Sequence, residues 1–285
     1  MIKILTDACA NLSEKYITDN NLGIINLYLA MDNKEVDYQS PNFNIKEFYN
    51  KMRQGSAVNT SLTNTQTFID CFEKYLQDSD QLIFISMSSG ISGSTGCAKL
   101  AADILNEKYS DRKIAVIDSL AASLGEGLLV MRGVEMLKNG CCFEEIVETL
   151  EAVKTKIHQL FIVSDLKYLK KGGRISTAKA VVGTVLNIIP ILMGDEEGKI
   201  VLYKKTRGIK KSLQIIADEY EKLSTNKSAD IAIAHADDEE NANYLLNCLK
   251  EKGFCGKCFT EVYEPVTGSH VGPGAIAMFF INSKS

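Results

Sequence analysis

The sequence predicts an α/β protein: an N-terminal, mostly parallel sheet with helices on both faces, then a C-terminal α+β unit, with a ligand cleft between them. Three observations predict it. Short apolar runs alternate with helical patterns through the first half, as buried parallel strands joined by crossover helices require. After about residue 156 the pattern changes to hairpin-type strand pairs mixed with helices, the mark of an α+β unit. Loops rich in hydroxyls and glycine follow several first-half strands, and open α/β sheets bind ligands beyond those carboxyl ends. The expected division is 1–155, with a polar, irregular excursion at 23–59, and 156–285.

In chain order, residues 2–5, 81–86 and 113–117 read as buried strands, and 68–75, 98–109 and 124–138 carry apolar residues at helical spacing. A helix at 143–157 leads to a strand at 159–163. Segments 189–192 and 200–203 flank the turn Asp195-Glu196-Glu197-Gly198 and read as a strand pair. Helices at 209–223 and 239–252, with strands at 230–234, 258–263 and 275–281, complete the second half. Neither an internal repeat nor a low-complexity segment interrupts them.

The 285 residues are 45% hydrophobic and 24% charged, a globular composition. A net charge of -4 supplies no global positive field, so nucleic acid is excluded as an expected partner. The opening MIKILTDACANLS lacks the apolar run of a secretory signal, and a cytoplasmic location is expected. No stretch reaches the ~18 apolar residues of a spanning helix. The nearest, 178–193, is broken by Lys179, Gly183, Asn187 and Pro190. Neither membrane insertion nor an oligomer is expected. The eight cysteines, Cys9, Cys71, Cys97, Cys141, Cys142, Cys248, Cys255 and Cys258, read as small buried hydrophobes. The pair Cys255 and Cys258 falls short of a four-ligand metal site, since only Cys248 adds a third, so no metal or cofactor is expected.

The chemistry sits in the loops. Strand one ends in Thr6-Asp7, the strand ending at Ser86 runs into MSSGISGSTG, the one ending near Asp118 runs into SLAASLGEG, and Asn59–Asn64 precedes its own helix. Neutral hydroxyls and helix N-termini suit a small anionic head group, although each such residue taken singly is a helix cap. The phosphate-loop, dinucleotide and HExxH signatures are missing. Gly90-Ile91-Ser92-Gly93 invites an alternative, a serine-dependent acyl hydrolase or acyltransferase using Ser92, but Ser94 stands where a nucleophile elbow has glycine. Only His158, His235 or His270 could act as its base.

His270 lies in a segment, 265–274, read as a loop with a constrained path; it is either placed for a ligand or a bystander in a tight turn. Gly172-Gly173-Arg174 combines flexible backbone with a planar cation, or is a solvated basic turn beside Lys167, Lys170 and Lys171. The helix expected from Thr177 aligns Ala178, Val181, Val182, Val185, Leu186 and Ile189. That stripe is core packing, or a wall for an alkyl chain if it faces a cleft. The basic run 199–211 is a further candidate, as a docking or regulatory surface.

Taken together, ILTDACANLS, TSLTN at 60–64, SSGISGS at 88–94, DSLAASLGEG at 118–127, DLKYLKKGGRIS at 165–176, IIPILMGDEEGKI at 188–200 and GSHVGPGA at 268–275 resemble the DegV family nearly end to end. The resemblance implies a long-chain fatty acid in the cleft and a role as the acyl-carrying subunit of a bacterial fatty acid kinase, whose partner subunit phosphorylates the bound carboxyl. It implies a carrier and not a self-sufficient enzyme. Its head-group residues fall on Thr60 and Ser92, with Ser61 and Gly93 nearby and His270 beside them. Arg174 is implied at the pocket mouth or partner surface, and Ala178, Val182, Val185, Leu186 and Ile189 along the acyl chain. The sequence departs from the family pattern at Ala8, where serine is usual, at Thr63-Asn64, where Pro-Ser is usual, and after Ser92-Gly93, where the common Thr-Tyr is missing.

Overall fold

The computed structural model describes residues 1–175 and 188–282. The first half runs β1 (Ile2–Asp7), α1 (Glu14–Asp19), β2 (Gly23–Ile25), β3 (Tyr28–Met31), β4 (Lys34–Glu35), α2 (Ile45–Arg53), β5 (Val58–Ser61), α3 (Thr65–Leu76), β6 (Gln81–Ser86), α4 (Ser94–Lys108), β7 (Lys113–Asp118), α5 (Leu124–Lys138) and α6 (Phe143–Lys154). Four strands form an all-parallel sheet in the order β2-β1-β6-β7. Strand alternation divides its apolar residues between two layers. Leu5, Leu82 and Phe84 pack toward α3 and α4, while Ile4, Ile83 and Ile85 pack toward α5 and α6. Both faces are covered, as an all-parallel sheet requires.

The second half runs β8 (Ile157–Ile162), α7 (Lys167–Lys171), β9 (Ile188–Gly194), β10 (Ile200–Arg207), α8 (Ile209–Leu223), β11 (Ile231–His235), α9 (Glu239–Glu251), β12 (Cys258–Val262), α10 (Pro265–Val271) and β13 (Ile276–Ile281). Its six strands lie in the order β10-β9-β8-β13-β11-β12, antiparallel except for β11 with β12. One face, with Ile231, Ile233, Met278 and Phe280, packs on α8 and α9. The other, with Ala232, Ala234, Ala277 and Phe279, turns toward the first half. Those alanines let α5 approach closely, and a Cβ on Gly125 would meet Phe279 Cδ1 at 2.9 Å. Helix α5 therefore lies between the two sheets and is buried nearly all round, which explains its weak amphipathicity.

Four expectations are corrected. The excursion at 23–59 is not wholly outside the main sheet: β2 joins it, and the remainder forms a small antiparallel sheet, β4-β3-β5, with α2. The helix expected to reach 157 stops at Lys154, because Ile157 already pairs with Ile281 in the second sheet. The segment read as a loop around His270 is helical, since Pro265 occupies its first turn, where a missing N–H costs nothing, and the Glu264 side chain caps it. The cysteines are not uniformly buried: Cys142 and Cys255 are exposed, at a helix cap and in the segment before β12. The helix expected from Thr177, with Ala178, Val181, Val182, Val185 and Leu186, lies outside the described residues. Among the described residues no helix is long and apolar enough to cross a membrane.

Candidate functional site

Loops from the first sheet's carboxyl edge meet the inner face of the second sheet around a largely apolar, half-open cavity. Its walls come from both halves: Leu27 and Met87 from the first, Phe161, Ile200, Val266 and Phe279 from the second. Phe161 and Phe279 reach it because they alternate with Leu160, Met278 and Phe280, which face the helices behind. The loop after β6 is pinned across the gap. Ser88 Oγ donates to the Gly198 carbonyl at 2.8 Å, and a Cβ on Gly90 would meet the Glu197 carbonyl oxygen at 2.6 Å. Only glycine allows that approach.

Thr60, Ser61, Ser92, Arg174 and His270 all line this cavity. Thr60 sits on β5, opposite Leu29, and its Oγ1 lies 2.9 Å from His270 Nε2 on α10. Burial, and then the Arg174 cation, push the His270 imidazole down to about 4, so the ring is neutral at physiological pH. With the proton on Nε2, His270 donates to Thr60 and leaves the Thr60 hydroxyl proton for an anion. Ser92 Oγ accepts from the Ser94 N–H at 3.2 Å, which likewise leaves its own proton to donate. Arg174 Nε donates to the Ile91 carbonyl at 3.2 Å and its Nη1 to the Gly172 carbonyl, which ties α7 to the Ser92 loop. The result is a greasy slot with neutral donors and one half-buried cation at its polar end.

Thr60, Arg174 and His270 also line an outer basin bordered by Arg53, Lys167 and Lys171. The polar end therefore faces both the slot and this basin. Two expected residues lie apart from the slot's walls. Gly93 is the N-cap of α4, where a Cβ would touch Leu62 at 3.3 Å. Ile189 stands on the opposite face of β9, packed with the α8–α9 layer, because in a strand it alternates with Leu192 and Gly194, which turn inward. A helical stripe extended through Ile189 misassigns its face. The departures from the family pattern serve as supports. Asn64 caps α3 by accepting from the Thr67 N–H at 2.9 Å, and the buried Thr63 hydroxyl donates to the Asn26 carbonyl.

Behind the slot lie three carboxyls, Asp7 and Glu126 buried and Glu264 partly exposed, of which only Asp7 stood out in the sequence. Asp7, Glu126 and Glu264 come from β1, α5 and the approach to α10, and all are raised, chiefly by burial: Asp7 to about 6, Glu264 to about 7, and Glu126 well above its ordinary range. Thr6 Oγ1 donates to Glu126 Oε1 at 2.8 Å, while Glu126 Oε2 has no partner among the described residues. The one signal available was Asp7 at a strand end, since strand-end loops gather at one sheet edge.

A half-open, largely apolar slot between two sheets, with donors gathered at its solvent end, is the architecture of a small-ligand-binding α/β protein. Residues 1–283 match the model described as an uncharacterised protein of the DegV family, and the chain belongs to that family. A DegV domain-containing protein of Clostridium perfringens is 35% identical over 280 residues, covering 98% of this chain and 96% of the relative. A DegV family protein from Thermus thermophilus, described for its fatty acid binding, superposes with a TM-score of 0.90 at 26% identity, covering 99% of each chain. One from Ruminococcus gnavus, solved with vaccenic acid, gives 0.89 at 26% identity, covering 98% of this chain and 99% of the other.

Proposed function

We propose that this protein holds one long-chain fatty acid in the slot and presents its carboxylate to a partner fatty acid kinase subunit for conversion to the acyl phosphate. The carboxylate is assigned to Thr60, Ser61, Ser92 and His270, the tail to the wall formed by Met87, Phe161, Val266 and Phe279. The observation that carries the reading is the double exposure of Thr60, Arg174 and His270, which line both the slot and the outer basin. A tail sheathed in the slot thus leaves its head reachable from outside by a second protein. The two relatives described with fatty acids share this fold at 26% identity over nearly the whole chain.

The energetics fit a carrier. Sheathing ~14 methylenes at about 0.8 kcal/mol each supplies on the order of 11 kcal/mol of gross driving force before ordering costs. Affinity then resides in the tail. A carboxylate left without donors in that setting would cost several kcal/mol, so the hydroxyls offset a penalty more than they add attraction. The hydrolase alternative is disfavoured by the placement of the imidazole: His270 Nε2 is committed to Thr60, and a ring pushed down to about 4 is a weak base for activating Ser92. The reading further places the protein in the cytoplasm as a monomer, in two units divided near residue 155.

Mass spectrometry tests it on protein prepared without detergent, sprayed native and then denatured. The native mass exceeds the denatured mass by one fatty acid, and added kinase with ATP yields an acyl phosphate that hydroxylamine traps as the hydroxamate. Protein that arrives empty and takes up no added oleate would overturn the assignment.

A further inference from the structure

Two of these carboxyls each hold a different wall of the slot. Asp7 ends β1; its Oδ2 accepts from the Met87 N–H at 3.0 Å and its Oδ1 from the Cys9 N–H at 2.9 Å. Glu264 precedes α10 and accepts from the Val266 N–H at 2.5 Å and the Thr267 N–H at 2.6 Å, so it fixes the first turn of the helix that carries His270. Asn11 joins the two sides. Its Oδ1 accepts from the Glu264 N–H at 2.8 Å, while its Nδ2, on a residue only 7% exposed, has no partner among the described residues. Met87, Val266, Thr267 and His270 all line the slot, so these two carboxyls set the spacing of opposite walls.

The titratable groups around them are nearly all acids. Cys9 faces both from the turn after β1, Glu126 from α5, Asp118 from the end of β7, Tyr38 from the segment before α2, Tyr49 from α2, and Tyr263 from the end of β12. The cation that acts on the set is Arg53, felt at Tyr49 and already ion-paired with Asp237 at 2.6 Å. Among the described residues no side-chain cation pairs with a second negative charge here, and two like charges held largely out of water repel.

We propose that Asp7 and Glu264 are positioning residues forming a proton-controlled latch on the slot: while one of them keeps a proton the α10 wall stays tied, through Asn11, to the loop after β1 and the ligand is retained, and when both are ionised the walls part and the ligand leaves faster. The inference rests on the fatty-acid reading for its ligand, not for its electrostatics. Burial pushes Asp7 up to about 6 and Glu264 up to about 7, with the N–H donors pulling partly back. A raised carboxyl favours the closed form while protonated, so the latch is strongest below pH about 6 and weakens as pH rises through about 7. Linkage requires the converse as well: a ligand that needs the closed wall must raise the affinity of these carboxyls for protons.

The test is the release rate of a fluorescent polyene fatty acid between pH 5.5 and 8.5. Release accelerates about tenfold from pH 6 to 8, the equivalent of one pKa unit. Asp7→Asn and Glu264→Gln each flatten that slope, whereas Glu126→Gln keeps it because Glu126 bonds Thr6 and holds neither Met87 nor the first turn of α10. A slope that survives in both Asp7→Asn and Glu264→Gln overturns the latch. Should those variants fail to fold, a carbon-13 carboxyl titration of the unaltered protein decides: the Glu264 midpoint moves up when ligand binds, and equal midpoints refute the proposal. If the protein binds no fatty acid at all, its ligand-free thermal stability still answers: a decline from pH 6 to 8 upholds the latch, and a flat profile sinks it.

Discussion

Replacing Gly172 with alanine disturbs the head-group site although Gly172 is not itself assigned to it. Gly172 caps α7 at φ -72, a conformation alanine adopts freely, so the backbone gives no reason for harm. A Cβ there, however, falls 2.3 Å from His270 Nδ1 and 3.0 Å from its Cε1. Ordinary contact needs 3.4 Å or more, so the imidazole must move by roughly 1 Å. It cannot retreat along its own axis, because Thr60 Oγ1 already stands 2.9 Å from Nε2 on the far side. The ring swings out and the hydrogen bond is lost, at about 1 kcal/mol for the bond and a comparable amount for the stranded hydroxyl. Fatty acid affinity of Gly172→Ala should therefore fall on the order of tenfold, read by displacement of a fluorescent fatty acid, while the melting temperature changes by a few degrees at most. Wild-type affinity together with an unshifted His270 ring signal in nitrogen-15 NMR spectra would show that the wedge between Gly172 and Thr60 does not exist.

Three further outcomes follow from the same geometry. Ser92→Ala removes one donor from the polar end and leaves the tail wall intact, so retention weakens by about threefold to tenfold in a displacement assay. Ala122 lines the slot with a small side chain, and Ala122→Phe fills the space meant for methylenes, so purified variant carries no lipid by mass spectrometry. His270 is held below its ordinary value by burial, so ionising it opposes the fold: stability is lost as pH drops from about 6.5 toward about 4, and His270→Gln blunts that loss in thermal melts.

Several long apolar elements were legible almost to the residue. The strand at 81–86 and the helices at 124–138 and 209–223 have their predicted bounds, since each is an apolar run of the right length bounded by polar or glycine-bearing turns. Helix α10 was not legible, because Pro265, Gly268, Gly272, Pro273 and Gly274 read as a loop, and the cap that starts the helix is supplied by a long Glu264 side chain. Ile189 was misread because a helix period was carried into a strand, where one step reverses the face. The hydroxyl-bearing loops were visible as composition, and the contact between Thr60 and His270, 210 residues apart in sequence, was implied only through family resemblance. The raised carboxyls were legible only at Asp7, a strand end: Glu126 and Glu264 are ordinary acids in sequence, and only the closure of two sheets around them makes them unusual.

Carboxyl-labelled palmitate bound to the protein tests the central claim most directly, because its carbon-13 signal reports where the head group lies. The account predicts one bound resonance that shifts in His270→Gln and in Thr60→Val but not in His158→Gln, whose ring stacks on Phe280 away from the slot. A resonance indifferent to both His270 and Thr60 would contradict it.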